Sequence, residues 1–326
     1  MENETRSHCH TGRKIPINVI GGFLGAGKTT FLNYFLDNRK DEHIDVLIRE
    51  YGKESVDDKL LKNFSGNVIV FPGVTLHEDP QLILHDRLHD LYEESGGNPA
   101  FDRLLLETSG IDRPQSLIQL FMVGHMPSLY RLGSFIVVVD AQYGLLDMEE
   151  YDVAVEQVAY ADVIIINKID LASEEEIDRL EKAVRGINGM AKIFKATYGQ
   201  VPLDDIKNIT VYNELKDLEG GKSGMGMNDI TTVTLTEKRP MDKEKVNVWI
   251  NDLFQKEGPK ILRGKGFFCF AGEDWRYEFQ SVRKSFHSST DRLWEEGEER
   301  KSTIVLIGED LPDEKDLQKS FSECAL

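Results

Sequence analysis

A glycine-rich segment near the start of the chain has the residue types and the spacing needed to hold the phosphates of a nucleotide. From Gly22 to Thr29 it reads GFLGAGKT, which satisfies the pattern G-x-x-x-x-G-K-[ST] at every defined position. Its glycines let the backbone curl so that successive N–H groups point inward. Lys28 can neutralise the terminal phosphates, and the Thr29 hydroxyl can bind Mg²⁺. The segment predicts a phosphate loop.

The flanking residues predict that this loop joins a strand to a helix. The apolar run 15–20 precedes it, and the helix-like run 29–36 follows it. The positive end of a helix dipole also favours phosphate, so a glycine turn without a ligand is the less favoured interpretation. The predicted phosphate-binding residues are Gly22, Gly25, Ala26, Gly27, Lys28, Thr29 and Thr30.

A second segment predicts which base is bound. The sequence NKID, from Asn167 to Asp170, follows the apolar run 163–166. The Asp170 carboxylate can accept both hydrogens from N1 and N2 of guanine, a donor pair that adenine lacks, while Asn167 can contact the other edge of the purine. The aliphatic stem of Lys168 can pack over the base and brace the loop. Together with the phosphate loop, this segment favours GTP over ATP.

A carboxylate between these two segments is a candidate for catalysis. Glu107 ends the apolar run 104–106, and Gly110 follows three residues later. Nucleoside triphosphatases place the group that senses Mg²⁺ or the attacking water at such a position, with a glycine able to meet the γ-phosphate. We therefore predict that Glu107 reaches the metal, directly or through a water, or positions the attacking water. A glutamate that merely caps a turn is the alternative. Lys28 and Glu107 form the predicted catalytic set.

Alternating strand and helix patterns must position these segments. Several predicted strands are apolar on both faces, which is typical of parallel strands covered by helices on both sides. The sequence therefore predicts a doubly wound α/β domain with a mainly parallel sheet. The predicted strands are 15–20, 45–48, 67–71, 104–106, 135–139, 163–166 and 192–194, and the predicted helices are 29–38, 81–94, 114–121, 151–160 and 174–186.

A change of composition divides the chain. Residues 219–228 hold four glycines and show no periodicity, which predicts a linker. Beyond it, strand and helix patterns without a second phosphate loop predict a smaller α+β domain. The predicted organisation is a flexible tail at 1–14, the nucleotide-binding domain at 15–218, the linker, and the C-terminal domain at 229–326. The strands predicted in that domain are 231–236, 266–271, 277–282 and 303–307, and its helices are 243–255 and 313–324.

Composition excludes several classes of partner. The net charge of −18 argues against nucleic acid, because contact with a phosphate backbone needs a basic surface. No apolar run approaches the roughly 20 residues needed to cross a bilayer, so we expect no membrane contact. The polar N-terminal segment shows no signal peptide, and three scattered cysteines are too few for a disulfide framework. A cytoplasmic location is the resulting expectation.

Taken together, four motifs resemble those of the CobW-type GTPases. They are GGFLGAGKTT, REYG from Arg49, ETSG from Glu107 and NKID; the family typically has N-E-F-G and E-T-T-G at the second and third places. The resemblance continues in the C-terminal domain, where ILRGKG at 261–266, Trp275 and IVLIG at 304–308 match. It implies a slow GTPase whose nucleotide state is coupled to metal delivery to a client protein.

The resemblance also implies roles for individual residues. Lys28 and Thr29 would serve the phosphates and Mg²⁺, Glu50 would belong to the first switch and approach the metal, and Glu107 and Gly110 would belong to the second switch. Arg49 stands where the family usually has Asn, and we expect it to be exposed. The implied cofactors are GTP, GDP and Mg²⁺. The implied partner is a client metalloenzyme or corrinoid enzyme, and a nucleotide-dependent dimer is a candidate assembly.

One family feature is missing from this chain. CobW-type metallochaperones carry a C-x-C-C cluster, whose thiolates suit Zn²⁺ or Co²⁺, but the corresponding residues 70–80 contain no cysteine. His77, His85 and His89 are candidate ligands for Zn²⁺, Co²⁺ or Ni²⁺, since His85 and His89 are spaced to share a helix face. Histidines that bind no metal are the favoured interpretation. The tail sequence His8-Cys9-His10 is another candidate.

Three functions stay open at this point. The first is a metallochaperone with a rebuilt metal site, and the second is a GTP-dependent activator of a metallo- or corrinoid enzyme that carries no metal itself. The third is an interaction protein that keeps the nucleotide-binding fold as a scaffold. The intact Lys28–Thr29 and Asn167–Asp170 motifs argue against the third function.

Overall fold

The structure contains two β-sheets, each with helices packed on it. It is a computed structural model that describes residues 14–50, 66–72, 80–94, 101–122, 124–207, 221–223 and 230–326. The first sheet is built from the N-terminal part of the chain and the second from the C-terminal part.

The first sheet has seven strands, all parallel, in the order β3-β2-β4-β1-β5-β6-β7. The central position of β1 places the loop that follows it between the ends of β4 and β5. The predicted doubly wound α/β domain is therefore confirmed. The strands are β1 (Ile15–Gly21), β2 (Ile44–Glu50), β3 (Val68–Pro72), β4 (Arg103–Glu107), β5 (Tyr130–Asp140), β6 (Val163–Asn167) and β7 (Lys192–Lys195).

Helices cover both faces of this sheet. Alternate residues of one strand enter different hydrophobic clusters: Val137 packs on one face, whereas Ile136 and Val138 pack on the other. Both faces of the sheet are buried, which explains why its strands are continuous apolar runs. The helices are α1 (Lys28–Asp37), α2 (Pro80–Glu94), α3 (Pro114–Leu120), α4 (Met126–Leu129), α5 (Gly144–Glu150), α6 (Asp152–Tyr160), α7 (Glu174–Ile187) and α8 (Leu203–Lys207). Within the described ranges, no helix has the length and apolar character needed to span a bilayer.

The second sheet has six antiparallel strands in the order β12-β11-β10-β13-β9-β8. Two helices pack on it, and the side chains of Asp242 and Asp313 cap their first turns. The elements are β8 (Gly221–Ser223), β9 (Ile230–Glu237), α9 (Lys243–Glu257), β10 (Ile261–Cys269), β11 (Trp275–Val282), β12 (Ser285–Leu293), β13 (Ser302–Glu309) and α10 (Glu314–Ser322).

The sequence did not predict every element. Strand β8 lies inside the predicted linker and pairs with β9, so these three residues belong to the second sheet. Strand β12 was missed because its side chains are mostly polar and exposed, which removes the alternation that marks a half-buried strand. Helices α4, α5 and α8 were also not predicted. Helices α4 and α8, with four and five residues, are too short to show a helical period.

A buried ionic cluster joins the two domains. Asp162, directly before β6, accepts from Arg263 at 2.6 Å, lies 2.7 Å from the ammonium of Lys265, and accepts from the backbone N–H of Phe135 at 2.7 Å. Burial opposes ionisation of Asp162, but the two cations and the N–H together hold its pKa below the ordinary value. Because β6 ends at the predicted guanine segment, the second domain is tied to a strand of the nucleotide site.

Candidate functional site

The predicted phosphate loop lies between β1 and α1, and close contacts explain its glycines. Gly22 has a φ of +135°, and a Cβ there would lie 2.2 Å from the carbonyl oxygen of Val138. Gly27 has a φ of +105°, and its Cβ would lie 2.4 Å from Nδ2 of Asn167. Only glycine fits both the left-handed backbone and these approaches. Helix α1 begins at Lys28, directly after the loop.

Lys28 closes back over the loop in this structure. Its ammonium donates to the carbonyl oxygens of Gly22, at 2.9 Å, and Phe23, at 3.2 Å. Burial lowers the pKa of Lys28 from its ordinary value, although the nearby carboxylates of Glu107 and Asp112 act in the opposite direction. The side chain is thus held at the loop, where it can exchange carbonyl oxygens for phosphate oxygens.

The structure brings two predicted Mg²⁺ ligands together. Strand β4 pairs with β1, which places Glu107 opposite Ile20 and beside the start of α1. There the Thr29 hydroxyl donates to Glu107 Oε1 at 2.7 Å, and the Glu107 carboxylate is almost fully buried. A hydroxyl and a carboxylate are the hard oxygen ligands that Mg²⁺ prefers, so the residues present fit this ion. The side chain of Glu50, the third predicted ligand, lies outside the described residues.

The predicted guanine segment is attached to the phosphate loop. Asn167 is buried; its Nδ2 donates to the carbonyl of Ala26 at 3.0 Å, and its Oδ1 accepts from the N–H of Gly199 at 2.9 Å. Its predicted contact with the purine stays a prediction. Asp170 is exposed in a short 3₁₀ turn, Ile169–Leu171, where its carboxylate can meet a base.

The sequence did not indicate the role of Asp140, which ends β5. Lys168 adopts a left-handed backbone, with a φ of 62°, and its ammonium donates to Asp140 Oδ2 at 2.7 Å and to the carbonyl of Gly25 at 2.8 Å. Lys168 therefore braces the phosphate loop, and the predicted packing of its stem over the base stays a prediction. The sequence signal that points to Asp140 is a carboxylate directly after the apolar run 135–139, but its partner became apparent only when the structure placed β5 beside β6.

The segment after Glu107 approaches the phosphate loop closely and is held by hydrogen bonds from helix α6. A Cβ on Gly110 would lie 2.6 Å from the backbone nitrogen of Leu24. The buried side chain of Gln157, on α6, donates to the carbonyls of Gly110, at 3.2 Å, and Asp112, at 3.1 Å. Neither Asp112 nor Gln157 was predicted, because these bonds join residues more than 40 positions apart in the chain.

Arg49 is not exposed, contrary to the sequence-based expectation. Its side chain is only 12% exposed and lies 3.4 Å from Asp112 Oδ1. The other carboxylate oxygen of Asp112 accepts from the N–H of Ser109 at 2.9 Å. The charge buried at the end of β2 thus has a partner in the loop after β4.

Comparison with known proteins agrees with this geometry. Residues 16–195 match the CobW/HypB/UreG nucleotide-binding domain, and residues 230–325 match the cobalamin synthesis protein cobW C-terminal domain. The chain belongs to the CobW/HypB/UreG family. It is a P-loop GTPase with the C-terminal domain of the cobW type, and the resemblance stated from its motifs is confirmed.

Two relatives and one crystal structure illustrate the similarity. The zinc chaperone YjiA of Escherichia coli K12 is 31% identical over 309 residues, which cover 92% of this chain and 96% of YjiA. The zinc-regulated GTPase metalloprotein activator 1 of Schizosaccharomyces pombe is 30% identical over 207 residues, covering 62% of this chain and 50% of that protein. The crystal structure of Zn(II)-bound YjiA superimposes with a TM-score of 0.69 at 28% identity and covers 96% of this chain and 100% of that one.

The candidate transition-metal ligands of this family member are only partly described. His77 and the segment His8-Cys9-His10 lie outside the described residues. His85 and His89 lie one turn apart on α2, as predicted, and the structure adds His125 beside them. In the parts of the chain that the structure describes, no three His, Cys, Asp or Glu side chains form a group that could hold a metal ion.

Proposed function

We propose that this chain hydrolyses GTP slowly to GDP and uses its nucleotide state to deliver a divalent metal ion to a client metalloprotein, or to activate that client. Bracing of the phosphate loop by Asn167 and Lys168 carries the nucleotide half of this proposal, because it joins triphosphate recognition to guanine recognition. Relatives that are called zinc chaperones and metalloprotein activators support the metal half.

The residues of the site suit catalysis by positioning and charge neutralisation. Lys28 and the inward-facing loop N–H groups would hold the phosphates, and Gly110 would approach the terminal phosphate. Thr29 and Glu107, with Glu50 as a further candidate, would hold Mg²⁺, which neutralises phosphate charge when bound. The Asp170 carboxylate would accept hydrogen bonds from N1 and N2 of guanine. Slow turnover is what the resemblance to the CobW-type GTPases implies.

A series of contacts that leads from the segment around Gly110 to the second domain supports coupling to a partner. Gln157 ties the segment around Gly110 to α6, and α6 leads to Asp162, whose carboxylate binds Arg263 and Lys265 of the second domain. A change at the terminal phosphate can therefore reach the second domain through one short helix. The client would be a metalloenzyme or a corrinoid enzyme, and a nucleotide-dependent dimer is the candidate assembly.

The proposed function can be tested by calorimetry on the full chain. We expect GTP to bind much more tightly than ATP, and Lys28→Ala to abolish GTP turnover. Titration of Zn²⁺, Co²⁺ and Ni²⁺ with and without a non-hydrolysable GTP analogue should show nucleotide-dependent metal affinity. Tight GTP binding without any such affinity would instead favour an activator that carries no metal. Equal affinity for ATP and GTP would contradict the base assignment.

A further inference from the structure

The loop that follows β7 carries an aromatic residue in an uncommon backbone conformation. Residues Thr197 to Gln200 form a turn, in which the N–H of Gln200 donates to the carbonyl of Thr197 at 3.1 Å. Both central residues, Tyr198 and Gly199, have left-handed backbones, with φ values of 53° and 69°. Glycine adopts this conformation without strain, whereas a bulky side chain rarely does. The turn therefore keeps a tyrosine where the backbone alone favours glycine, asparagine or aspartate.

Two hydrogen bonds attach this turn to the guanine segment, one on each side of Tyr198 in the chain. The carbonyl of Ala196 accepts from the N–H of Ile169 at 3.2 Å, and the N–H of Gly199 donates to Oδ1 of Asn167 at 2.9 Å. The turn also packs on α1, because a Cβ on Gly199 would lie only 2.8 Å from the backbone of that helix. The backbone of Tyr198 is thus held beside the guanine segment and beside the helix that follows the phosphate loop.

Burial of the ring does not explain this conformation, because Tyr198 is 68% exposed. The guanine segment contains a second such residue, since Lys168 has a φ of 62°. Among the described residues, those with a positive φ that are not glycine are Lys168, Tyr198, Arg283 and Asp310. Two of these four therefore lie on the two loops that Asn167 joins. Backbone strain of this kind is concentrated at ligand-binding sites.

We propose that the ring of Tyr198 packs on the base of the bound guanine nucleotide. The stem of Lys168 is the predicted contact with the base from the guanine segment, and the ring adds a contact from the loop after β7. Every nucleobase has a face that can stack on an aromatic ring, so this contact adds affinity while the selection of guanine stays with Asp170. This inference rests on the proposed binding of guanine nucleotides and names a further residue of that site.

The proposed contact determines which kinetic quantity depends on Tyr198. The base is the same in GTP, in GDP and in the transition state, so a contact with the base stabilises all three equally. Such uniform binding changes KM and leaves the chemical step unaltered. Substitution of Tyr198 should therefore weaken the binding of GTP and GDP, while the rate at which bound GTP is hydrolysed in a single turnover stays the same.

Calorimetric titration of the full chain with GDP tests this contact. We expect Tyr198→Ala to lower the affinity for GDP at least about fivefold, and Tyr198→Phe, which keeps the ring, to stay within about twofold of the parent. Tripolyphosphate, which has no base, should bind both variants as it binds the parent. Trp275→Ala, which removes an exposed aromatic residue at the start of β11 in the second domain, is the matched control and should bind GDP as the parent does.

A glycine variant separates binding from stability. Because glycine adopts a left-handed backbone without strain, Tyr198→Gly should unfold in denaturant close to the midpoint of the parent. Its affinity for GDP should nevertheless fall as in Tyr198→Ala. A residue that only shapes the turn would not show this combination.

Two outcomes would overturn the contact. The first is undiminished affinity for GDP in Tyr198→Ala and Tyr198→Gly, and the second is an equal loss of affinity for GDP and tripolyphosphate, which would show an effect on the phosphate loop. Either outcome leaves the GTPase assignment intact. Equal affinity of the parent for GDP and ADP would instead contradict the proposed guanine selection, and a loss of both affinities in Tyr198→Ala would still support stacking.

Discussion

Asp162 and Arg263 form a buried ion pair, with 2.6 Å between carboxylate and guanidinium, across the contact between the two domains. Both side chains are only 1% exposed, and Lys265 adds a second cation to the same carboxylate oxygen. A buried charge without its partner is costly, so this cluster favours one relative placement of the two sheets. It gives the second domain a fixed attachment to the strand that carries the guanine segment.

Removal of Asp162 should therefore destabilise the protein strongly. Asp162→Ala leaves two cations buried, and we expect a loss of about 3–5 kcal/mol in the free energy of unfolding, measured with denaturant. Glu299→Gln breaks the Lys238–Glu299 pair, whose side chains are 59–76% exposed, and should have little effect. Equal effects of the two substitutions would contradict a structural role for the buried cluster.

The same cluster predicts a pH dependence. The pKa of Asp162 is lowered in the folded protein, so its ionised form stabilises the fold at pH values above the unfolded pKa, about 3.9. This contribution is lost as the pH falls below that value through the folded pKa. The acid-unfolding curve of Asp162→Ala should thus be flatter below about pH 4 than that of the parent. Denaturant titrations at several pH values measure the difference.

The contact between Thr29 and Glu107 predicts a specific loss of magnesium-dependent binding. Thr29→Val keeps the shape of the side chain but removes the hydroxyl that is proposed to bind Mg²⁺, and even residues that only support a metal ligand change metal affinity by about 10–100-fold. We expect the affinity for GTP in Mg²⁺ to fall at least about tenfold, with a smaller change when the metal is chelated. Thr290→Val, the same change on exposed strand β12, is the control. Calorimetric titration of both variants tests the assignment.

The phosphate loop, the guanine segment and most of the parallel strands could be predicted from the sequence, because each depends on a short pattern of neighbouring residues. The sequence did not predict Asp140 or Gln157, whose partners are 28 and 47 positions away, since such contacts depend on the order of strands in the sheet. His125 was missed for the same reason. Arg49 was misjudged because a charged residue at a strand end is usually solvated unless the fold supplies a partner.

Guanine recognition by Asp170 can be tested by reversing its hydrogen-bonding character. Asp170→Asn can no longer accept both N–H groups of guanine, so GTP affinity should fall at least about tenfold. The new amide can donate to the C2 carbonyl of xanthine, and xanthosine triphosphate should bind better than it does to the parent. Because Asp170 is exposed, stability should not change. Asp178→Asn, on the outside of α7, should leave both affinities unaltered.

The ion pair between Arg49 and Asp112 should couple the two switch segments during turnover. Arg49→Asn introduces the residue typical of the family, Asp112→Asn removes the partner charge, and each should lower kcat/KM for GTP by freeing the segment that carries Gly110. If the pair acts as a unit, the double variant will be little worse than either single variant. The coupling energy of the cycle should then be about 1 kcal/mol. Strictly additive losses in kcat/KM would show that the two residues act independently.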